Sequence, residues 1–138
     1  MKATFLAVAL LGAGVAVGIA VDRTALAQQQ QPSIKRTILL RADDPGNKNY
    51  EAIMAIAEIP PGAASGKHLH HGVEVAYVLE GNLAVDHDGQ PVQAVKAGES
   101  MSNGNAVAHN ARNVGKTPAK ILTVYVVEKG KPLADPVP

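Results

Sequence analysis

The sequence predicts an all-β domain, either a sandwich or a small barrel, and three observations lead to this prediction. Apolar runs rich in Val, Ile and Thr recur about every ten residues, and Gly, Pro and Asn separate them. The part of the chain that follows residue 33 shows no convincing pattern of an amphipathic helix. The 138-residue length fits one domain, and a mature part of about 110 residues is enough to close one small barrel.

Each strand is predicted from an apolar run with turn-forming residues at its ends. The run 50–59 is apolar along most of its length, which predicts a strand buried on much of both faces. Asp88-Gly89 is the strongest short hairpin signal in the chain. Residues 99–105 are polar, with a glycine between two asparagines, and are predicted as a turn. The predicted strands are 34–42, 50–59, 73–81, 83–87, 90–95, 106–113 and 119–127.

The N-terminus has the pattern of a secretory signal peptide. A lysine precedes an apolar run from Phe5 to Val21, and Ala25-Leu26-Ala27 offers a cleavage site, so residues 1–27 are expected to be removed. An uncleaved membrane anchor is the alternative, because the run has about the length that spans a bilayer. Both alternatives place the domain outside the cytoplasm, so we expect a periplasmic or secreted protein. Residues 28–33 are predicted to be a polar linker.

Composition limits the partners of the remaining chain, which comprises a domain over 34–128 and a polar tail over 129–138. The tail is expected to lie on the surface or to pair at a sheet edge. Residues 28–138 carry 11 basic and 11 acidic residues, so they lack the basic stripe of nucleic-acid or anionic-membrane binders. The chain has no cysteine, which excludes disulfides, thiolate metal sites and cysteine nucleophiles. A small-molecule ligand is therefore the expected partner, and a homodimer stays open as the assembly.

Three histidines and a glutamate lie close together in the middle of the chain. His68 and His70 are two residues apart, so on a strand their side chains leave the same face. Glu74 keeps this parity and can join them if the chain turns near Gly72. Imidazole and carboxylate groups bind borderline and hard divalent metals. The stretch therefore predicts a metal site, although a single histidine in a strand is more often only structural.

A fourth candidate ligand, His109, lies 35 residues beyond Glu74 on a separate predicted strand. A barrel can place the two strands side by side. Three imidazoles and one carboxylate would leave one or two positions open on a metal for water or substrate. This mixture of ligands suits Fe(II), Mn(II), Ni(II), Co(II) or Zn(II) and does not choose among them.

The spacing of these residues resembles the first motif of the cupin superfamily. The segment reads Gly62-x5-His68-x-His70-x3-Glu74-x6-Gly81, and every position and spacing of the motif is matched. The resemblance extends over about residues 34–128. It implies a single cupin domain, a double-stranded β-helix or jelly-roll barrel, in which both histidines and the glutamate of this motif are metal ligands.

A second segment resembles the second cupin motif, Gly-x5-Pro-x-Gly-x2-His-x3-Asn. Gly98, His109 and Asn113 occupy their family positions, so the resemblance implies that His109 is the remaining metal ligand. Gly104 stands where the family has proline, and Ala106 stands where it has glycine. These two departures put the shape of the preceding turn in doubt, because proline fixes φ and glycine does not.

The resemblance is strongest to small single-domain cupins of the quercetin-dioxygenase-like type. It implies a metalloenzyme acting on a small molecule, with O₂ as a second possible ligand and Glu74 as the catalytic residue, a ligand that loosens and acts as a base. A metal acting as a Lewis acid fits an isomerase or lyase equally well. The region lacks Phe and Trp, which argues against a polyaromatic substrate. A non-catalytic binder of a metal or small ligand is the alternative from another functional class.

Five other residues near the motifs receive secondary predictions. His71 has the opposite parity to His70 and is expected at the surface. His87 adjoins the predicted hairpin turn and is also expected at the surface. Asn113 shares the parity of His109 and is expected to fix its strand by hydrogen bonds. Met101 and Asn103 are candidates for the mouth of the pocket by position alone.

Overall fold

The structure is a computed structural model that describes residues 34–138. The predicted signal peptide (1–27) and linker (28–33) lie outside the described residues. Within 34–138 the chain forms ten strands and no helix, and hence no helix that could cross a membrane. The strands are β1 (Lys35–Asp43), β2 (Tyr50–Ile59), β3 (His68–Leu69), β4 (Gly72–Glu80), β5 (Asn82–His87), β6 (Gln93–Lys96), β7 (Ser100–Asn103), β8 (His109–Asn113), β9 (Ala119–Glu128) and β10 (Asp135–Pro136).

The strands form two five-stranded sheets with antiparallel pairing. The first sheet has the order β1-β2-β9-β4-β7, and the second has the order β10-β3-β8-β5-β6. This confirms the predicted all-β architecture. Small aliphatic side chains fill the space between the sheets, since the chain has few aromatic residues. The buried core includes Ile53, Ile59, Val78, Leu83, Val85, Val95, Ile121 and Val127.

Most predicted strands agree with the structure to within a few residues, but the predicted turn over 99–105 is wrong. Ser100–Asn103 forms β7, which pairs with Glu74–Tyr77 at the edge of the first sheet. Its residues alternate between exposed serines and a buried methionine and asparagine. This edge strand therefore has too few apolar residues for its sequence to predict a strand. The C-terminal tail pairs at an edge as expected, since Asp135–Pro136 pairs with β3.

The chain crosses from the second sheet to the first between β3 and β4, and Gly72 makes this crossing feasible. A Cβ atom at Gly72 would lie only 2.0 Å from the carbonyl oxygen of Val126. Only glycine allows so close an approach of the two backbones. The crossing lets His70 and Glu74 face the same interior space, as the expected turn near Gly72 requires.

Asn113 has the structural role that the sequence predicts. Its buried side-chain amide donates hydrogen bonds of 2.8 Å to the carbonyl oxygens of Ile59 and Thr117. Its Oδ1 accepts a hydrogen bond from the backbone N–H of Gly115. These bonds tie the end of β8 to the end of β2 and to the following turn.

Ala106 occupies a backbone conformation that favours glycine, the residue that the family motif has there. Its φ is +57°, the only positive φ of a non-glycine residue in 34–138. Its N–H donates to the carbonyl oxygen of His70 at 3.0 Å. The turn before β8 therefore keeps a left-handed residue although alanine has replaced glycine, which costs about 1–2 kcal/mol.

We expect Ala106→Gly to raise the free energy of unfolding by about 0.5–1 kcal/mol. Removal of the Cβ relieves the left-handed strain, and the greater freedom of glycine in the unfolded chain offsets part of that gain. Urea unfolding measures the change. Ala42→Gly on the exposed strand β1 is the control and is expected to destabilise the protein. Equal destabilisation by both substitutions would contradict the strain at Ala106.

Candidate metal centre

Three histidines form one row across the second sheet. His68 on β3 lies opposite His109 on β8, and His109 lies opposite His87 on β5. Directly opposed residues point to the same face of a sheet, and here that face is the interior. His68 and His109 are buried. The two motif strands are thus side by side, as the sequence predicts.

A matching row of polar side chains faces the histidines from the first sheet. Glu74 on β4 lies opposite Asn103 on β7 and opposite Tyr125 on β9. All three side chains are buried in an otherwise aliphatic interior. Buried polar groups persist only where they are paired, so this double row marks a site rather than ordinary core.

His70 enters the same space from the crossing between the sheets. Its side chain is fully buried. Its Nδ1 donates a hydrogen bond to the backbone carbonyl of Leu133, 63 residues away in the C-terminal tail. The tail therefore holds one of the candidate ligands in place.

The same hydrogen-bond pattern fixes the tautomer of His68, His70 and His109. His68 Nδ1 donates to the carbonyl of Gly66 at 2.9 Å, and His109 Nδ1 donates to the carbonyl of Val107 at 3.0 Å. A carbonyl oxygen only accepts, so each Nδ1 carries a proton. With Nδ1 protonated, the neutral ring presents a lone pair on Nε2 to the interior. This is the arrangement of metal-binding imidazoles.

The free ring nitrogens converge. One nitrogen from each of His68, His70 and His109 lies within 4.8 Å of the others. Glu74 Oε2 lies 3.2 Å from His70 Nε2 and 3.5 Å from His109 Nε2. Two atoms that bear only lone pairs do not approach this closely unless a cation lies between them. The four side chains therefore surround a position for a proton or a metal ion.

Electrostatics keep the carboxylate charged. Burial alone would raise the pKa of Glu74, but a proton shared with His109 or His70 and the hydrogen bond from Asn103 outweigh it and hold that pKa well below its ordinary value. Burial lowers the pKa of His68, which favours the neutral ring that a metal needs. Burial and the charge of Glu74 raise the pKa of Tyr125 to about 12, so its phenol stays protonated.

A small cavity of about 30 Å³ adjoins these groups. Met101 and Asn103 line it, but both side chains are buried rather than at the mouth where the sequence predicts them. Arg36 from β1 lines it as well and is the only lysine or arginine among its lining residues in 34–138. The remaining lining side chains are mostly aliphatic or hydroxylic, so this cation is the distinctive feature of the cavity.

The prediction that His87 lies at the surface is wrong. His87 Nε2 donates to Asn103 Oδ1 at 2.7 Å, and Asn103 Nδ2 donates to Glu74 Oε2 at 2.6 Å. The adjacent turn masks a simpler signal in the sequence, since His87 shares the parity of the buried Val85. His71 points elsewhere and bonds Asp135 at 3.0 Å with a partly exposed side chain.

Comparison with known proteins agrees with this fold. The family model described as a cupin domain matches residues 55–125. The chain is 31% identical over 80 residues to an oxalate-binding protein of Thermotoga maritima, an alignment that covers 57% of this chain and 65% of the relative. The chain thus spans just under two thirds of the length of the curated relative that it matches.

Solved structures with this fold come from several organisms. A protein of Klebsiella pneumoniae with a double-stranded β-helix domain superposes with a TM-score of 0.62 at 20% identity, covering 75% of this chain and 86% of that one. A predicted oxalate decarboxylase of Thermotoga maritima gives 0.57 at 25% identity, covering 68% and 80%. A polyketide cyclase of Streptomyces resistomycificus gives 0.60 at 20% identity, covering 77% and 72%.

The family match spans half of the chain and includes both motifs with His68, His70, Glu74 and His109. The neighbours share the two-sheet β architecture, and three histidines converge inside it. The chain belongs to the cupin family.

Proposed function

We propose that this protein is an extracytoplasmic metal-dependent cupin in which His68, His70, His109 and Glu74 bind one divalent ion and a small-molecule ligand completes the coordination. One observation carries the proposal: the three Nδ1 atoms each donate to a backbone carbonyl, which leaves the other ring nitrogens of the three histidines to converge within 4.8 Å of one another, two of them beside one carboxylate oxygen.

The donor set fits a divalent ion. Three neutral imidazoles and one carboxylate provide nitrogen and oxygen donors that suit iron, manganese, nickel, cobalt or zinc. Backbone carbonyls and Asn103 hold these donors in orientation, as hydrogen-bond partners behind metal ligands commonly do. Bound there, such an ion would supply Lewis acidity and, if it is redox-active, access to oxygen chemistry.

The features of the cavity favour a small carboxylate as the ligand. A divalent ion with Glu74 leaves one net positive charge, and Arg36 at the cavity adds a second. The small size of the cavity, about 30 Å³, favours a small ligand. A dicarboxylate such as oxalate balances both charges and is small. The name of the curated relative, an oxalate-binding protein, supports the same class of ligand.

Two functions are compatible with a ligand bound at this site: a reaction that converts the ligand, and binding without turnover. Glu74 Oε2 is placed to accept a proton from a ligand, and Asn103 and His87 behind it hold that oxygen in position. This supports a dioxygenase-like, isomerase or lyase reaction with Glu74 as the base. The alternative is a binding protein without turnover. Loss of substrate from a panel of small carboxylates, diketones and catechols separates enzyme from binder.

Arg36→Gln is expected to weaken oxalate binding to the metal-loaded protein about 10- to 100-fold without changing its metal content. The substitution removes one charge-assisted contact, which contributes about 1.5–3 kcal/mol. Isothermal titration of oxalate measures the affinity. Lys35→Gln is the matched control, because Lys35 is the preceding residue on β1 and contacts Glu58 at 3.6 Å.

Two results would count against the carboxylate assignment. One is that metal-loaded protein fails to bind oxalate, malonate or acetate at millimolar concentration. The other is that Arg36→Gln and Lys35→Gln bind oxalate as tightly as the unmodified protein. If the protein binds a metal ion but no carboxylate, the metal-site assignment stands and only the proposed class of ligand is contradicted.

The extracytoplasmic location is supported by the sequence pattern of residues 1–27. Mass spectrometry of protein isolated from its own cells tests it. A mature N-terminus at Gln28 in the periplasm or medium is the expected result, and an intact N-terminus in the membrane fraction would favour the anchor instead.

A further inference from the structure

The last residues of the chain run beside the segment that carries two of the candidate metal ligands. β10 (Asp135–Pro136) pairs with β3, and the N–H of Val137 donates to the carbonyl oxygen of Lys67 at 3.2 Å. Residues 133–137 therefore form one edge of the second sheet, and we call them the strap. The match to the cupin-domain model ends at residue 125, so the strap lies outside the part of the chain that matches the family.

The strap reaches the interior of the site through Leu133. The backbone carbonyl of Leu133 accepts the hydrogen bond from His70 Nδ1, and the His70 ring is fully buried. The Leu133 side chain packs against the buried cluster that includes Tyr125 and Val127. One residue of the strap thus contacts the core and orients a candidate ligand. A buried donor that loses its acceptor destabilises the arrangement around it, so the state of the strap affects His70 directly.

Few other bonds hold the strap to the domain. Three of the seven residues 132–138 are prolines, and proline has no N–H to donate. The strand pairing extends over only two residues. Asp135 also contacts His71 at 3.0 Å, but both side chains reach solvent, and such pairs contribute little. A segment with so few contacts opens locally at a low cost in free energy, so the bond from His70 is a large part of what keeps the strap docked.

We infer that the strap is a positioning segment of the metal centre, so that docking of the strap and binding of the metal ion strengthen each other. This inference rests on the metal site proposed above. With the strap docked, Leu133 keeps His70 Nδ1 protonated and His70 Nε2 directed toward Glu74. With the strap open, water replaces the carbonyl and the ring loses its fixed orientation. The docked chain therefore binds the ion more tightly than the open chain.

The size of this coupling follows from the role of hydrogen-bond partners behind metal ligands. Loss of such a partner lowers metal affinity about 10- to 100-fold. Coupling between two equilibria is reciprocal, so a bound ion makes the open strap rarer by the same factor. The coupling can therefore be measured in two ways, as a change in metal affinity and as a change in the local opening of the strap.

Amide hydrogen exchange of the unmodified protein, with and without Zn(II), measures the opening of the strap. Zn(II) is diamagnetic, so NMR can follow single amides. Exchange of the Val137 amide is expected to slow about 10- to 100-fold at saturating Zn(II). β6 (Gln93–Lys96) is the internal control, because it is the opposite edge of the same sheet and carries no candidate ligand. Equal slowing at Val137 and in β6, or no slowing at Val137, would overturn the inference.

A chain shortened to end at Pro132 lacks the strap, and its dissociation constant for Zn(II) is expected to rise about 10- to 100-fold. The matched control is a chain that ends at Pro136, which keeps the Leu133 carbonyl and is expected to lose much less affinity. Competition with a chromophoric chelator measures both constants, and circular dichroism shows whether each chain is folded. The exchange experiment uses no variant, so it decides the question if the shortened chain does not fold.

His70→Ala tests whether the strap acts through His70 rather than through general stability. In this variant the Leu133 carbonyl has no ligand to orient, so removal of the strap is expected to cause no further loss of Zn(II) affinity. The same loss with and without His70 would contradict a positioning role.

The possible outcomes separate this inference from the proposed function. If the unmodified protein binds no divalent ion, the metal site and the role of the strap are both contradicted. If the unmodified protein binds one Zn(II) per chain and the folded chain that ends at Pro132 binds it equally tightly, the metal site stands and the inference about the strap is wrong.

Discussion

His68→Ala combined with His109→Ala is expected to abolish stoichiometric metal binding. The two substitutions remove two of the three converging imidazoles and leave His70 and Glu74 as the remaining donors. Loss of a single hydrogen-bond partner behind a metal ligand already costs about 10- to 100-fold in affinity. Loss of two ligands is therefore expected to weaken binding by roughly 1,000-fold or more. Elemental analysis after dialysis against the metal measures the content per chain.

The control for this double variant is His71→Ala. His71 adjoins the ligands in sequence, but it bonds Asp135 instead, so its removal is expected to leave the metal content unchanged. Thermal unfolding adds a second measurement, because a ligand at 1,000 times its dissociation constant stabilises the native state by about 4 kcal/mol. Full metal content in a folded double variant would disprove the site.

The ligand positions could be predicted from the sequence because they depend on local parity. His68 lies on β3 and His70 directly follows that strand. Glu74 comes after the crossing, at which Gly72 is required because a Cβ there would lie 2.0 Å from the carbonyl oxygen of Val126. The motif spacing also identified His109, although its place opposite His68 depends on the barrel. Short-range geometry of this kind is encoded in residue spacing.

The groups behind the ligands could not be predicted in the same way. The carbonyl of Leu133 that orients His70 comes from 63 residues away, and any residue type offers a carbonyl. Asn103 lies on β7, an edge strand too polar for its sequence to be recognised as a strand. The turn beside His87 predicts a surface position, whereas its pairing with β8 directs its side chain inward.

Glu74→Gln is expected to weaken metal binding about 100-fold and to remove the proton that metal binding releases. In the metal-free protein, Nδ1 of His70 is protonated and Nε2 faces the Glu74 carboxylate at 3.2 Å, so a proton must lie between them. A metal ion displaces that proton. Affinity for the metal is therefore expected to rise with pH in the unmodified protein.

Glutamine is expected to change both the affinity for the metal and the number of protons released when the metal binds. Its amide nitrogen can donate directly to His70 Nε2, so the metal-free site needs no additional proton, and its neutral oxygen is a weaker donor to a cation. Titrations in buffers of different ionisation enthalpy are expected to show about one proton fewer released, with a flatter pH dependence. Glu80→Gln is the control, because Glu80 lies on the same strand and contacts Lys120 at the surface. If Glu74→Gln and the unmodified protein release the same number of protons when the metal binds, the displaced proton is not held between Glu74 and His70.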